Sequence, residues 1–251
     1  MSICRIALSE VEKIDLVITK GMTANQVYSK YKPDYMINAA LYDMATKENI
    51  TNAKDEGKAS GYLFSNEGIG ITGNKILDWC EKSESVRDFI AGAPTLVKHG
   101  AKYINWGNKY SNYVDGNHKR SCIGFNGTHL FLVATDNNNT INSLAEYCIS
   151  QQMKYAINLD GGGSCHLQEG SKKLKSSGRA NCSWILVFLK KKTKEEEKVE
   201  SVKVKCSGKE QEGFIKDGVT YVPVRFVGEN LGANVAWDGA NKIVTVVPRE
   251  G

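Results

Sequence analysis

The sequence predicts an α+β fold: a mixed, largely antiparallel sheet flanked by helices, followed by a small β-rich C-terminal domain with one short helix. Three observations lead there. Short apolar runs linked by turn residues recur along the chain, and Asn126-Gly127 between two of them is the strongest hairpin signal, because that dipeptide suits the turn whose twist matches paired strands. From Asn142 to Met153, the residues Leu144, Ala145, Cys148, Ile149 and Gln152 fall near helical spacing, with Ile141 placed to staple the start. From Lys190 to Lys198 the chain is a block of lysines and glutamates that no core can accept, so a domain boundary is expected there.

In chain order, strands are expected at Ile14 to Ile18, Tyr35 to Ala40, Thr95 to Val97, Ser121 to Phe125, His129 to Thr135, Ala156 to Asp160 and Ser183 to Leu189. Helices are expected at Thr23 to Lys30 and Lys75 to Glu81, besides the one after Ile141. The 251-residue length suits one full domain, 1–189, a charged linker, 190–201, and a small companion, 202–251. In the companion, a hairpin turns at Asp217-Gly218, a short helix runs from Val224 to Leu231 and stops at Gly232, and a second hairpin joins Val235–Gly239 to Lys242–Val246. So thin a core is expected to lean on a strand from Val202 to Lys205.

A net charge of +5 favours anionic partners, such as sugar phosphates or anionic cell-wall glycopolymers of the teichoic-acid kind. Lysine and arginine are nowhere concentrated among stacking aromatics, so nucleic acid is not expected. Seven cysteines without a C-x-x-C pair read as thiols in a reducing compartment; neither a disulfide framework nor a metal site is expected, and no cofactor. The N-terminus lacks the apolar core of a signal peptide, and no run reaches membrane-spanning length. Synthesis in the cytoplasm without membrane insertion is therefore expected, with action at the cell envelope after release, or in a phage particle. No pattern fixes an oligomeric state.

The chemistry concentrates at Tyr155–Ser164, where an apolar strand ends on Asp160 and passes into Gly161, Gly162, Gly163 and Ser164. A strand-end carboxylate can act as base or nucleophile, while glycine amides and a hydroxyl can hold a substrate's negative group. A glycine-rich hairpin with Asp160 as turn former is the alternative. The run Ile37–Asp43 offers Asn38 and Asp43 around small residues that would admit a ligand, or simply a buried strand with a polar end. Arg120, at the entry of a strand, can point a planar fork at phosphate or make an exposed ion pair. His118 can donate to a leaving oxygen or sit solvated. Asp136 ends another apolar strand and could complete a carboxylate pair with Asp160, and Arg179 is a second cation for the same site. Gly68–Gly73 imitates a dinucleotide fingerprint in letters alone, and Asp136–Asn139 imitates a calcium loop that reads better as a solvated turn.

In order, Ile37–Asp43, Gly92–Gly100, Lys119–Gly124 and Asn158–Ser164, with Arg179 following, resemble the signature of the phosphodiester glycosidase family over roughly residues 35 to 189. The chain departs from it where the family's usual Gly and Phe appear as Ala39, Ala40, Leu41 and Tyr42, where Lys119 replaces a Pro and Ser121 a Thr, and where Asn137 follows Asp136. These departures bear on substrate shape more than on reaction class. The resemblance implies a hydrolase that cleaves the glycosyl C–O bond of a sugar-1-phosphodiester, N-acetylglucosamine-1-phosphodiester or a related envelope glycopolymer. Asp160, Asp136 and Arg120 would then be catalytic, and Asn38, Asp43, His118, Gly161 to Gly163, Ser164 and Arg179 would bind substrate. Asp217–Phe226 and Leu231–Asp238 resemble the small repeat named after the amino terminus of copper amine oxidases. That implies wall attachment or spacing and not copper chemistry, since the segment has no histidine. A non-catalytic phosphosugar or wall-polymer binder is the competing class; release of free sugar separates the two.

Overall fold

The computed structural model describes residues 1–62, 66–74, 76–81, 86–105, 116–191, 200–216 and 218–249. The chain begins with β1 (Ser2–Ala7), β2 (Val11–Met22), α1 (Ala24–Tyr31), β3 (Tyr35–Asn38), β4 (Ala53–Asp55), β5 (Lys58–Ser60), β6 (Glu67–Thr72), β7 (Ile76–Glu81), β8 (Asp88–Ala91), β9 (Thr95–Lys98) and β10 (Ala101–Asn105). It continues through β11 (Ser121–Phe125), β12 (His129–Ala134), α2 (Ile141–Ser150), β13 (Tyr155–Asn158), β14 (Leu167–Glu169), β15 (Lys172–Lys175) and β16 (Asn181–Leu189). After the charged run come β17 (Glu200–Cys206), β18 (Lys209–Lys216), β19 (Val219–Tyr221), α3 (Val224–Asn230), β20 (Ala233–Asp238) and β21 (Ile243–Pro248). Two compact units result, Met1–Lys190 and Lys191–Gly251.

The first unit is a layered sandwich. A six-stranded sheet, ordered β1-β12-β11-β13-β9-β10, faces a five-stranded sheet, ordered β15-β14-β3-β16-β2. Strand alternation assigns the layers. Leu130 and Leu132 of β12 join Ile185 and Val187 of β16 in the core between the sheets. Phe131 and Val133 point the other way, onto Ile141, Leu144, Ala145 and Cys148 of α2, and Trp184 and Leu186 point onto Ala24 and Val27 of α1. Both sheets are thus covered on both faces, which is why β11, β12 and β16 read as unbroken apolar runs.

The helices begin where capping chemistry puts them. Thr23 accepts the Gln26 N–H while Gln26 accepts the Thr23 N–H in return, a capping box that starts α1. Thr140 accepts the Ser143 N–H at 3.1 Å and starts α2, so Ile141 lies inside the helix instead of stapling it from outside.

The fold is predominantly β, a correction to the α+β balance expected. Three α-helices occur among the described residues, and the pairings within the two large sheets are antiparallel. The helix expected from Lys75 to Glu81 is strand β7, paired with β6; Lys75 lies outside the described residues. Leu77 and Trp79 pack toward the main core while Cys80 packs with Phe89 and Ala91 on the other side, a period of two and not of 3.6. Gly68 and Gly70 belong to β6, where a Cβ would stand 2.2 Å from the Ile90 carbonyl oxygen and 2.4 Å from Cys80 Sγ, so close packing explains them and not a nucleotide loop.

β6 and β7 lie in a third sheet, ordered β5-β4-β8-β6-β7. It is fastened to β2 through Asp88, buried, which accepts the Leu16 and Glu56 N–H groups at 3.2 and 3.0 Å and pairs with Arg87 at 2.7 Å. A cavity of about 340 Å³ opens at this junction between Lys13, Asp15, Tyr31, Asp55 and Phe188.

In the second unit β17, β18 and β19 form one sheet and β20–β21 a hairpin. Gly218, at φ +75°, occupies the tight turn between β18 and β19; its neighbour Asp217 and residues 192–199, which hold the charged run, lie outside the described residues. Gly232, at φ +83°, follows α3, where a left-handed residue can end a helix. Only Gly228 and Ala233 are buried among this unit's described residues. No helix among the described residues is long and apolar enough to cross a membrane.

Candidate active site

β3 and β13 belong to different sheets, and their C-terminal ends meet. The Asp160 N–H donates to the Ala39 carbonyl at 2.8 Å, and Asn38 Nδ2 donates to the Asp160 carbonyl at 2.7 Å. Asn38 is fully buried, and its Oδ1 accepts from Ser121 Oγ at 2.7 Å and from the His166 N–H at 2.9 Å. One amide side chain therefore ties β3, β11, the Asp160 backbone and the segment after the glycine turn. These bonds make it a positioning residue for the Asp160 strand end.

The Asp160 carboxyl is partly covered, and burial raises its pKa to about 6 against the opposing pull of Ser164, the Gly161 N–H and Arg179. Gly162–Ser164 form a single 3-10 turn. Two of the three glycine amides expected to cradle an anion are engaged internally: Gly161 N–H on Asp160 Oδ1 at 2.9 Å, and Gly162 N–H on the Lys119 carbonyl at 2.8 Å. Each glycine nevertheless sits where a side chain would force a change. A Cβ on Gly161 would stand 2.6 Å from the Lys119 carbonyl oxygen, Gly162 has φ +59°, and a Cβ on Gly163 would stand 2.6 Å from Arg179 Cζ.

Arg179 thus rests its guanidinium directly on the glycine turn. Ser177 holds the loop there, accepting the Arg179 N–H at 3.0 Å and donating to the Gly163 carbonyl at 2.8 Å. Its own N–H donates to His166 Nδ1, which leaves the proton on Nε2 facing Gln168 Oε1 at 3.1 Å. His166 is buried and neutral, its pKa lowered by desolvation, so it supports the loop instead of exchanging protons. Gly163→Ala is expected to push the flexible guanidinium aside, raising KM severalfold while stability stays within about 1 kcal/mol of wild type, as steady-state kinetics beside a thermal melt would show.

Several expected site residues lie elsewhere or do other work. Asp136 is exposed, pairs with Lys175 at 3.1 Å and lies 3.7 Å from the N-terminal ammonium, and its pKa is lowered chiefly by Lys175; it is not brought into the Asp160 cluster. Arg120 is buried, with Nε on the Asn139 carbonyl at 3.0 Å and Nη2 on the Gly116 carbonyl at 2.6 Å, so its fork orders the neighbouring loop. Asp43 is exposed and accepts the Thr46 and Ala45 N–H groups, which lower its pKa and make it a turn former. His118 is exposed and pairs through its backbone with Asn139.

Sequence reasoning missed Tyr42 and Lys47. Tyr42 is 7% exposed and sits beside Ser164, Asp160 and Arg179, with Lys47 Nζ 5.4 Å from its ring centroid. Cys182, buried at the start of β16, lies within electrostatic reach of both Asp160 and Lys47. The cluster thus gathers Asp160, Ser164 and Tyr42 under two cations. A carboxyl poised near neutrality beside an exposed guanidinium defines an acid–cation site, of the class that serves hydrolases and phosphate binders alike.

Residues 13–188 match the phosphodiester glycosidase family, and the chain belongs to it. Residues 198–250 match the copper amine oxidase N-terminal domain. No curated protein matches by sequence. Among solved structures, the chain is similar to the catalytic domain of zebrafish N-acetylglucosamine-1-phosphodiester α-N-acetylglucosaminidase, auto-inhibited by its pro-peptide: TM-score 0.59, 16% identity, covering 72% of this chain and 73% of that one. A hypothetical protein from Synechocystis follows at TM-score 0.53 and 14% identity, covering 75% and 59%. A putative exported protein from Burkholderia pseudomallei has TM-score 0.52 and 9% identity, covering 74% and 73%. At these identities the structures establish the fold.

Proposed function

We propose that the first unit hydrolyses the glycosyl C–O bond of a sugar-1-phosphodiester, N-acetylglucosamine-1-phosphodiester or a related envelope glycopolymer, releasing free sugar and a phosphomonoester. The observation that carries this reading is the Asp160 carboxyl, fixed between two sheets and facing Arg179 on the glycine turn. A phosphomonoester is a good leaving group, so the reaction needs little general-acid help and much positive charge to gather the departing anion. Arg179, with Lys47 nearby, supplies that charge. Asp160, ionised, takes a proton from the attacking water or stabilises the oxocarbenium-like carbon; the C–O electrons leave with the phosphate, and water's oxygen replaces it on the sugar. Ser164 orients the carboxylate. The second unit is read as an attachment or spacing module, on its family match alone.

Incubation with UDP-N-acetylglucosamine, followed by assay of free sugar, tests the reading. Release that Arg179→Ala lowers by about tenfold or more is expected. Saturable binding without any release would instead favour a phosphosugar-binding protein.

A further inference from the structure

The Tyr42 hydroxyl is fully covered by protein and has no hydrogen-bond partner of normal geometry, although Ser164 stands beside it. An unmet buried hydroxyl is costly, and such groups are expected to have a reason. Burial, with the charge of Asp160 close by, holds the phenol pKa above its usual value, so Tyr42 keeps its proton and can act as a donor. Ser164 is itself 1% exposed and has a single hydroxyl proton, which goes to the stronger acceptor near it, the Asp160 carboxylate. The lone pairs of Ser164 Oγ then remain for a donor, and Tyr42 is the neighbouring O–H.

We propose that Tyr42 is a positioning residue for Asp160: its buried hydroxyl donates to Ser164 once substrate settles the cluster, and Ser164's proton is thereby directed onto the carboxylate. Hydrogen bonds in series polarise one another, so the ionised form of Asp160 gains from a group that does not touch it. The other groups around the carboxyl are Arg179 from the loop before β16, Cys182 from β16, Cys165 after the glycine turn, and Lys47 beyond Tyr42. Of these only Arg179 lowers the Asp160 pKa in company with Ser164 and the Gly161 N–H, so loss of the relay has few substitutes.

The role of Tyr42 rests on Asp160 being the reacting carboxyl, and the test separates the two. Tyr42→Phe removes one oxygen and keeps the ring. The Asp160 carboxyl is followed by carbon NMR through a pH titration with inorganic phosphate present, in wild type, Tyr42→Phe, Ser164→Ala and the double variant, each also melted and assayed for sugar release. The expected result is a midpoint displaced upward from about 6 in Tyr42→Phe, no further displacement when Ser164 is already Ala, and a melting temperature equal to or above wild type. Sugar release by Tyr42→Phe should fall by roughly threefold below the midpoint, with the gap narrowing as pH rises. A midpoint identical to wild type, or a displacement that persists in the Ser164→Ala background, overturns the relay. Midpoints that shift among the variants as expected, with no sugar released by wild type, leave the relay standing and overturn the hydrolase reading.

Discussion

Asp160→Asn is expected to reduce sugar release by about a hundredfold or more while leaving the protein folded. Its backbone bonds to Ala39 and Asn38 do not depend on the side chain's charge, and an amide oxygen can still accept the Gly161 N–H. The carboxyl's folded-state pKa, about 6, lies above the 3.8 usual for an aspartate in water. Any stability it contributes is therefore fully present below the unfolded pKa and is lost as pH rises through about 6. The amide variant escapes that loss, so it should melt at or above the wild-type temperature at neutral pH, with the gap closing in acid. Wild-type turnover, if it uses the ionised form, should climb across the same interval. Near-normal turnover by Asp160→Asn would remove this carboxyl from the chemistry.

Asn38→Ala has the largest expected effect on stability. It leaves the Ser121 hydroxyl, the His166 N–H and the Asp160 carbonyl without a bond each now has, and Asn38, Ser121 and His166 are fully buried. A loss of about 3 kcal/mol follows from unpaired buried polar groups together with the void left behind. Chemical denaturation would measure it, and a variant as stable as wild type would show that the amide does not bind the two sheets together. Turnover should fall as well, because the Asp160 backbone loses its anchor.

How far these features were legible depended on whether one stretch of chain carried the whole cause. β11 is found where the apolar run places it, and β12 and β16 within a residue or two, because burial on both faces leaves a continuous signal. β15, Lys172–Lys175, is charged and lies at a sheet edge, so it shows no periodicity that rises above its surroundings. β7 misleads because Leu77, Trp79 and Cys80 can be read at helical spacing, and only pairing with β6 settles the matter.

The glycine turn and Asp160 were visible because strand, acid and glycines are contiguous. Asn38 is legible as a strand-end amide, but its positioning role is not, since its three partners come from distant segments. Arg120 and Asp136 looked available only because sequence does not show that backbone carbonyls and Lys175 already engage them. Tyr42 depends on residues more than a hundred positions away, so its relation to Ser164 and Asp160 could not be read locally.

The two-sided burial of β12 and β16 also constrains how such a protein can diverge. A strand with no solvated face has few neutral substitutions; it can exchange one apolar residue for another of similar volume and little else. Drift in polar character is left to the segments beyond the strand ends, and those are the segments that carry Tyr42, Lys47 and Arg179. A lineage built on this sandwich can therefore change what it recognises without renegotiating how it folds, which accords with a shared architecture at 16% identity.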